Sequence, residues 1–286
     1  MSIPTVAFQG ERGSFSEEAA YKLLGRGVRL QPYENFSAMF DSVIRGKAKY
    51  CLAPIENTLA GSVHENYDHL LANDLHIIAE VNLRIVHNLI AFSGTTLANL
   101  HQVYSHPVAL AQCGEFFKRH PQIEKVSFYD TAGSVKMLAE QRIRGAAAIA
   151  SRIASEVYEG RILAKHLEDH RENYTRFLLV SKTAKVPPRA DKVSIVFSTR
   201  NMPGALYKCL SVFALRDIDL TKMESRPLRG RPWEYFFCLD FAGSLKEERC
   251  RKALDHLTEI TTFLRVLGCY EAAKKDNRSK RIRGGL

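Results

Sequence analysis

Short apolar runs alternate with amphipathic segments along the first 180 residues. Residues 5–9 predict a strand, with Val6, Ala7 and Phe8 consecutive and apolar. It breaks at Gly10-Glu11-Arg12-Gly13, and Ser14 with Glu17 three positions on forms a capping box that opens a helix. Residues 28–33 predict a second strand. Phe36, Met39, Phe40 and Val43 recur at helical spacing over 36–45 and belong to a core face. A third strand covers 50–53 and stops at Pro54. Ser62, with Glu65 completing another capping box, caps a helix that runs to 71. Residues 77–92 are too long for an ordinary strand and predict two, joined at a crossing point between lobes. There follow a strand at 103–105, a helix over 107–117 with Pro107 in its first turn, and a helix opened by Asp130-Thr131-Ala132-Gly133-Ser134. A small-residue strand at 146–150, a short helix after Ser151, and strands at 162–167 and 177–180 complete the series.

This alternation is an α/β plan, in which ligands settle beyond the ends of strands. The capping residues Ser14, Ser62, Thr131 and Ser151 open four helices. Several helix N-termini at one cleft suit a ligand with more than one carboxylate. The loop at 10–13, between strand and helix, is one such anion site. It lacks the G-x-G-x-x-G spacing, so no dinucleotide fold is read.

The rhythm changes after the linker Lys185-Val186-Pro187-Pro188-Arg189. Strands at 192–199, 219–227, 233–241 and 262–267 and helices at 203–216 and 246–257 give the order βαββαβ, a ferredoxin-like unit. Arg229-Gly230-Arg231-Pro232 is the turn between its central strands.

A length of 286 residues suits two domains, and 45% hydrophobic with 25% charged residues is ordinary globular composition. The six cysteines are scattered without a C-x-x-C, which argues against a zinc site or a disulfide framework. Met1-Ser2-Ile3-Pro4 leads straight into a strand, so no targeting segment is read and the expected compartment is cytoplasmic. No apolar run reaches the ~18 residues of a membrane helix. The net charge of +10 suggests nucleic acid until it is located. Six cations from Lys274 to the end face the single acid Asp276, which puts half the excess in a Gly-ended tail without aromatic interleaving. That tail reads as solvated, not as a nucleic-acid arm.

The densest chemistry is Asn173-Tyr174-Thr175-Arg176-Phe177, where a charged loop turns into an apolar strand. An arginine can hold a carboxylate bidentately, and a hydroxyl can donate to a bound group. Glu56 and Asn57 follow the third strand, and His106, after Ser105, precedes a helix. Glu56 and His106 are candidates to relay a proton to the weakly acidic Thr175.

Several motifs, in order, carry a resemblance. They are Ala7-Phe8-Gln9-Gly10 with Gly13-Ser14-Phe15-Ser16; Pro54-Ile55-Glu56-Asn57; Gly61-Ser62 with Asn66-Tyr67-Asp68; Ser105-His106-Pro107 with Gln112-Cys113; Asp130-Thr131-Ala132; and Thr175-Arg176-Phe177. Pro203-Gly204-Ala205-Leu206 and Glu224-Ser225-Arg226-Pro227 follow in the second domain. The chain resembles the prephenate dehydratases with a C-terminal ACT regulatory domain. The resemblance implies a two-lobed catalytic domain similar to a periplasmic binding protein over 1–183, an ACT domain over 191–270 and a basic tail over 271–286. It implies conversion of prephenate to phenylpyruvate with loss of water and carbon dioxide, without cofactor or metal. Thr175 matches the family's catalytic threonine, and the assigned catalytic set is Thr175, Arg176, Phe177, Glu56 and His106. Ser14, Asn57, Ser62, Ser105 and Thr131 are assigned to substrate binding. L-Phenylalanine is the expected effector, held between paired ACT domains of a homodimer or homotetramer by Gly204, Ala205, Leu206, Glu224, Ser225, Arg226 and Pro227. Two alternatives stay open: an arogenate dehydratase, and a non-catalytic amino-acid sensor on the same two lobes.

Overall fold

Val6, Ala7 and Phe8 are wholly buried in β1 (Thr5–Gln9), as their unbroken apolarity requires of a central parallel strand. The computed structural model describes residues 3–227 and 234–274. It divides into two units, one built from residues up to 72 and 81–178, the other from 73–80 and 179 onward.

In the first unit, β1 is followed by α1 (Phe15–Leu24), β2 (Arg29–Tyr33), α2 (Phe36–Ile44), β3 (Tyr50–Asn57), β4 (Gly61–Ser62) and α3 (His64–Ala72). β1 lies between β2 and β3, parallel to both. Met39, Phe40 and Val43 of α2 are buried, as their spacing predicts. Two expectations fail here. β3 runs through Pro54 to Asn57, because β4 pairs with its end, Glu56 opposite Ser62, and Asn66 Nδ2 donates to the Pro54 carbonyl at 2.6 Å. Ser62 is therefore a strand residue, and α3 begins two positions later.

β5 (His76–Arg84) and β6 (Asn88–Ala91) split the long apolar segment as predicted. A second sheet follows, from β6, β7 (Gln102–Ser105), β8 (Glu124–Ser127), β9 (Ala146–Ala150) and β10 (Arg161–Ala164), in the order β10-β6-β9-β7-β8. Its centre is β9, all five residues buried. Ala147 and Ile149 face one core with Phe116 and Phe117; Ala146, Ala148 and Ala150 face the other with Ala132, Val135 and Leu138. Alanines at alternate positions let helices approach closely on both sides.

The helix expected over 107–117 is two, α4 (Pro107–Ala111) and α5 (Gly114–Arg119). The break has a distant cause: the Gly114 and Glu115 amides donate to the Asp169 carboxylate at 2.8 and 3.0 Å, which starts a new helix. α6 (Thr131–Gln141) is capped by Asp130, whose carboxylate accepts from the Gly133 amide at 2.7 Å, so Thr131 is its first helical residue, not its cap. Ser151 caps α7 (Arg152–Val157) as predicted. β11 (Tyr174–Ser181) starts three residues earlier than its apolar run.

The second unit has β12 (Lys192–Ser198), α8 (Ala205–Ala214), β13 (Leu220–Pro227), β14 (Tyr235–Ala242), α9 (Glu248–Ile260) and β15 (Phe263–Tyr270), the predicted βαββαβ order. Its strands lie antiparallel as β13-β14-β12-β15. Val193, Ile195, Phe197, Leu239 and Phe241 pack against Val212, Phe213, Ala253 and Leu257 of the helices. Gly268 sits so close to Ile77 that a Cβ there would lie 2.1 Å from the Ile77 carbonyl oxygen, and only glycine fits. The turn at 229–232, Trp233 and the tail from 275 lie outside the described residues.

Candidate active site

The end of β3 meets the start of β11, and Asn57 joins them. The backbone amides of Leu59 and Ala60 donate to Asn57 Oδ1 at 2.9 and 2.8 Å. That fixes the amide's orientation and turns Nδ2 toward β11. Nδ2 then donates to Asn173 Oδ1 at 2.7 Å, to Thr175 Oγ1 at 2.9 Å and to the Tyr174 carbonyl at 3.2 Å. Thr175 Oγ1 is thus an acceptor within the protein, and among the described residues nothing accepts its proton. A hydroxyl held this way presents a preorganised donor to a ligand.

The network continues into the second sheet's lobe. Asn173, wholly buried, donates through Nδ2 to Gln112 Oε1 at 2.8 Å. The same oxygen lies 2.9 Å from His87 Nε2. Both acceptor directions of Gln112 Oε1 are filled, so the amide nitrogen of this half-buried residue is turned the other way with its two protons. Gln112 terminates α4 and was not expected as a site residue. The available signal was its place in the matching motif Gln112-Cys113, where a polar residue interrupts the apolar run between His106 and Phe117.

Strand alternation divides the five-residue kit. Thr175 and Arg176 are adjacent in β11, so their side chains leave opposite faces. Arg176 is buried and pairs with Glu56 at 3.2 Å, just as Thr175 pairs with Asn57. The carboxylate the guanidinium holds here is therefore the chain's own. Phe177, 2% exposed, is a core side chain.

The other expected site residues are dispersed. Ser14 caps α1, but the loop's anion is also internal: the buried Glu17 carboxylate accepts from the Gly13 amide at 2.6 Å and from Arg12 Nε at 3.0 Å. Ser151 Oγ donates to the Gly13 carbonyl at 2.6 Å, which brings the starts of α1 and α7 together. Gly13 permits this approach through its positive φ of 82° and its missing side chain. Ser105 is buried and donates to the Ile149 carbonyl at 2.6 Å. His106 is exposed, caps α4 by accepting from the Val108 amide at 3.3 Å, and makes no contact with Thr175. Ser62 stays at the β3–β4 turn, next to Glu56 in register, and Thr131 opens α6. Between the lobes, Glu11 accepts from Tyr129 Oη at 2.9 Å and Lys136 Nζ at 3.2 Å. Burial pushes the nearby Asp130 carboxyl above its ordinary range, with Glu11 adding to the effect.

What remains is a Thr175 hydroxyl and a Gln112 amide, both oriented by partners that occupy their acceptor atoms. Donors of this kind stabilise negative charge developing on a departing oxygen. No described helix is long and apolar enough to cross a membrane.

Comparison with known proteins bears on this geometry. Residues 6–185 match the family model described as prephenate dehydratase. Arogenate dehydratase/prephenate dehydratase 2, chloroplastic, of Arabidopsis thaliana is 44% identical over 276 residues, 93% of this chain and 72% of the relative. Among solved structures, prephenate dehydratase in complex with L-Phe from Arthrobacter aurescens superposes with a TM-score of 0.87 at 33% identity, over 94% of this chain and 90% of that one. GqqA, described as a novel type of quorum quenching acylases, superposes with a TM-score of 0.87 at 32% identity, over 94% and 98%. With a model match that spans β1 to β11 and relatives aligned along nearly its whole length, this chain belongs to the prephenate dehydratase family.

Proposed function

We propose that the chain converts prephenate to phenylpyruvate and that its second unit, an ACT domain over 191–270, makes this step responsive to L-phenylalanine. The observation that carries the catalytic reading is the Thr175 hydroxyl, whose oxygen accepts from Asn57 and whose proton is left for a ligand. Prephenate is a dianion with a hydroxyl on a cyclohexadiene ring. The bond from ring to carboxylate breaks and releases carbon dioxide. Its electron pair passes through the ring and expels the hydroxyl, which leaves as water after gaining a proton. The product ring is aromatic, so the step is downhill and the protein has only to position the substrate and ease the departing oxygen.

The partner of the Thr175 hydroxyl is the Asn57 amide, itself linked to the amides of Asn173 and Gln112, and amides neither give nor take a proton near neutrality. This supports a role as hydrogen-bond donor to the departing oxygen, not as a link in a proton relay. Neither Glu56 nor His106 is hydrogen-bonded to Thr175.

Arogenate remains a second substrate, because the Arabidopsis thaliana relative is named for both activities. For regulation, Gly204 stands at the start of α8 with φ 77°; the Ala205 amide already donates to the Met202 carbonyl at 3.2 Å, and the Leu206 amide that follows is suited to a carboxylate. Glu224, suited to an ammonium, is mostly buried and pairs with Lys222 at 3.2 Å. Ser225, Arg226 and Pro227 complete that segment of β13. Paired ACT domains in a homodimer or homotetramer form the effector site in this reading. The test is ultraviolet detection of phenylpyruvate from prephenate, and of phenylalanine from arogenate, each with and without added phenylalanine. Turnover of neither substrate by a folded protein refutes the catalytic reading, and turnover indifferent to phenylalanine refutes the regulatory one.

A further inference from the structure

We propose that His87 is a positioning residue for this reaction: its Nε2–H holds the Gln112 carbonyl oxygen and so keeps the Gln112 amide nitrogen turned toward the substrate. The inference rests on the catalytic reading above for its kinetics, but on geometry for its assignment.

The polarity of the whole network follows from two backbone amides. Leu59 and Ala60 fix Asn57 with Nδ2 toward β11. Asn57 Nδ2 then fixes Asn173 with Oδ1 as acceptor and Nδ2 as donor. Asn173 Nδ2 in turn requires an acceptor from Gln112, which is Oε1. The atom of His87 that faces this oxygen, Nε2 at 2.9 Å, must therefore be a donor. The neutral ring then carries its proton on Nε2 and leaves Nδ1 bare. That agrees with the position of Nδ1, which is buried with no hydrogen-bond partner. A proton there would be a buried donor without an acceptor, at a cost of about 1–3 kcal/mol.

The ring has no freedom to escape this role. His87 is 2% exposed, Phe15 packs edge-on against it with centroids 5.5 Å apart, and its own amide donates to Glu168 Oε2 at 3.0 Å. Glu168 also takes Arg84 at 3.2 Å, which anchors the carboxylate. Burial holds the imidazole below its ordinary basicity, so the neutral form persists. Without His87, Gln112 Oε1 keeps a single donor, and its amide can rotate away from the substrate.

The test compares His87→Gln, whose side-chain nitrogen reaches the Nε2 position, with His87→Asn and His87→Leu, whose side chains do not place a donor there. Loss of one orienting hydrogen bond predicts roughly a tenfold fall in kcat for His87→Asn and His87→Leu, with KM nearly unchanged. His87→Gln should recover most of it. In a Gln112→Ala background, His87→Asn should cause no further loss, because nothing remains to be positioned. Equal damage from His87→Gln and His87→Asn, or a second tenfold loss in the Gln112→Ala background, overturns the proposal. Nitrogen NMR of the intact protein reads the tautomer directly and needs no turnover. A proton on Nδ1 also overturns it. A protein that turns over neither substrate but shows the Nε2–H tautomer sinks the catalytic reading while leaving the assignment of His87 to the network intact.

Discussion

Thr175→Val is the most incisive perturbation. Valine keeps the shape and β-branching of threonine, so β11 retains its strand preference and its packing. What disappears is one oxygen. Asn57 Nδ2 loses its acceptor at 2.9 Å but keeps Asn173 Oδ1 at 2.7 Å and the Tyr174 carbonyl at 3.2 Å. The stability cost is therefore one hydrogen bond in three, about 1 kcal/mol. In the proposed reaction the kinetic cost is larger, because the lost proton is the one offered to the departing oxygen. Removal of one such donor typically costs about 10²–10³ in kcat, about 2.7–4 kcal/mol. KM should stay close to the parent value, since the interaction strengthens only as charge develops. Thr175→Ser retains a hydroxyl that Asn57 can hold in the same way, and should keep most of the activity. Initial rates of phenylpyruvate formation by ultraviolet absorbance, with a thermal melt of each variant, give the needed numbers. A folded Thr175→Val protein with kcat within about threefold of the parent, under ~0.7 kcal/mol, would remove the hydroxyl from the chemistry.

Arg176→Leu should destabilise the protein by about 2 kcal/mol in a denaturant titration, below the usual loss for a buried pair because the Glu56 side chain is 32% exposed; Glu56→Gln in the same chain should recover part of it, and no recovery would show that the pair is not the cause. Gly13→Ala forces a side chain into a positive φ of 82° with its Cβ 2.7 Å from Ala154 Cα, and should cost about 3 kcal/mol or more; a wild-type melting temperature would contradict that crowding. The lowered His87 basicity means that the unfolded chain binds more protons once pH falls below about 6.5. Stability from this group is then complete above that pH and drains away as pH falls toward the folded value, so His87→Gln should flatten the melting curve against pH between about 7 and 5; identical slopes would contradict it. Glu224→Gln should weaken phenylalanine binding about tenfold by calorimetry, and undiminished affinity would exclude Glu224 as the ammonium partner.

The periodic parts of the chain were legible in the sequence: β1, α2, β9 and the βαββαβ order all follow from where apolar residues recur. Elements governed by distant partners were not. Nothing near Gly114 announces that Asp169 will start α5 there. β8 is Glu-Lys-Val-Ser, an edge strand with a single apolar residue, and only its pairing with β7 defines it. Pro54 could not be read as tolerated without β4 alongside. The site shows the same division. Thr175 and Asn57 stand out by position after or before strands, but the alternation that separates Thr175 from Arg176 required knowing that β11 already includes both. Gln112 stands in a matching motif, but its place in the site emerges only once Asn173 and His87 converge on it.

One bond in this structure spans a seam. Asn173 belongs to the segment that leads into β11, whereas Gln112 rides at the end of α4 on the other sheet, and the 2.8 Å between them is a single hydrogen bond's length. A parting of the two lobes by little more than an ångström would uncouple Gln112 from Asn173 and Thr175 while leaving each lobe internally intact. In the proposed reaction, a ligand that parts the lobes would lower activity without touching Thr175 or Gln112.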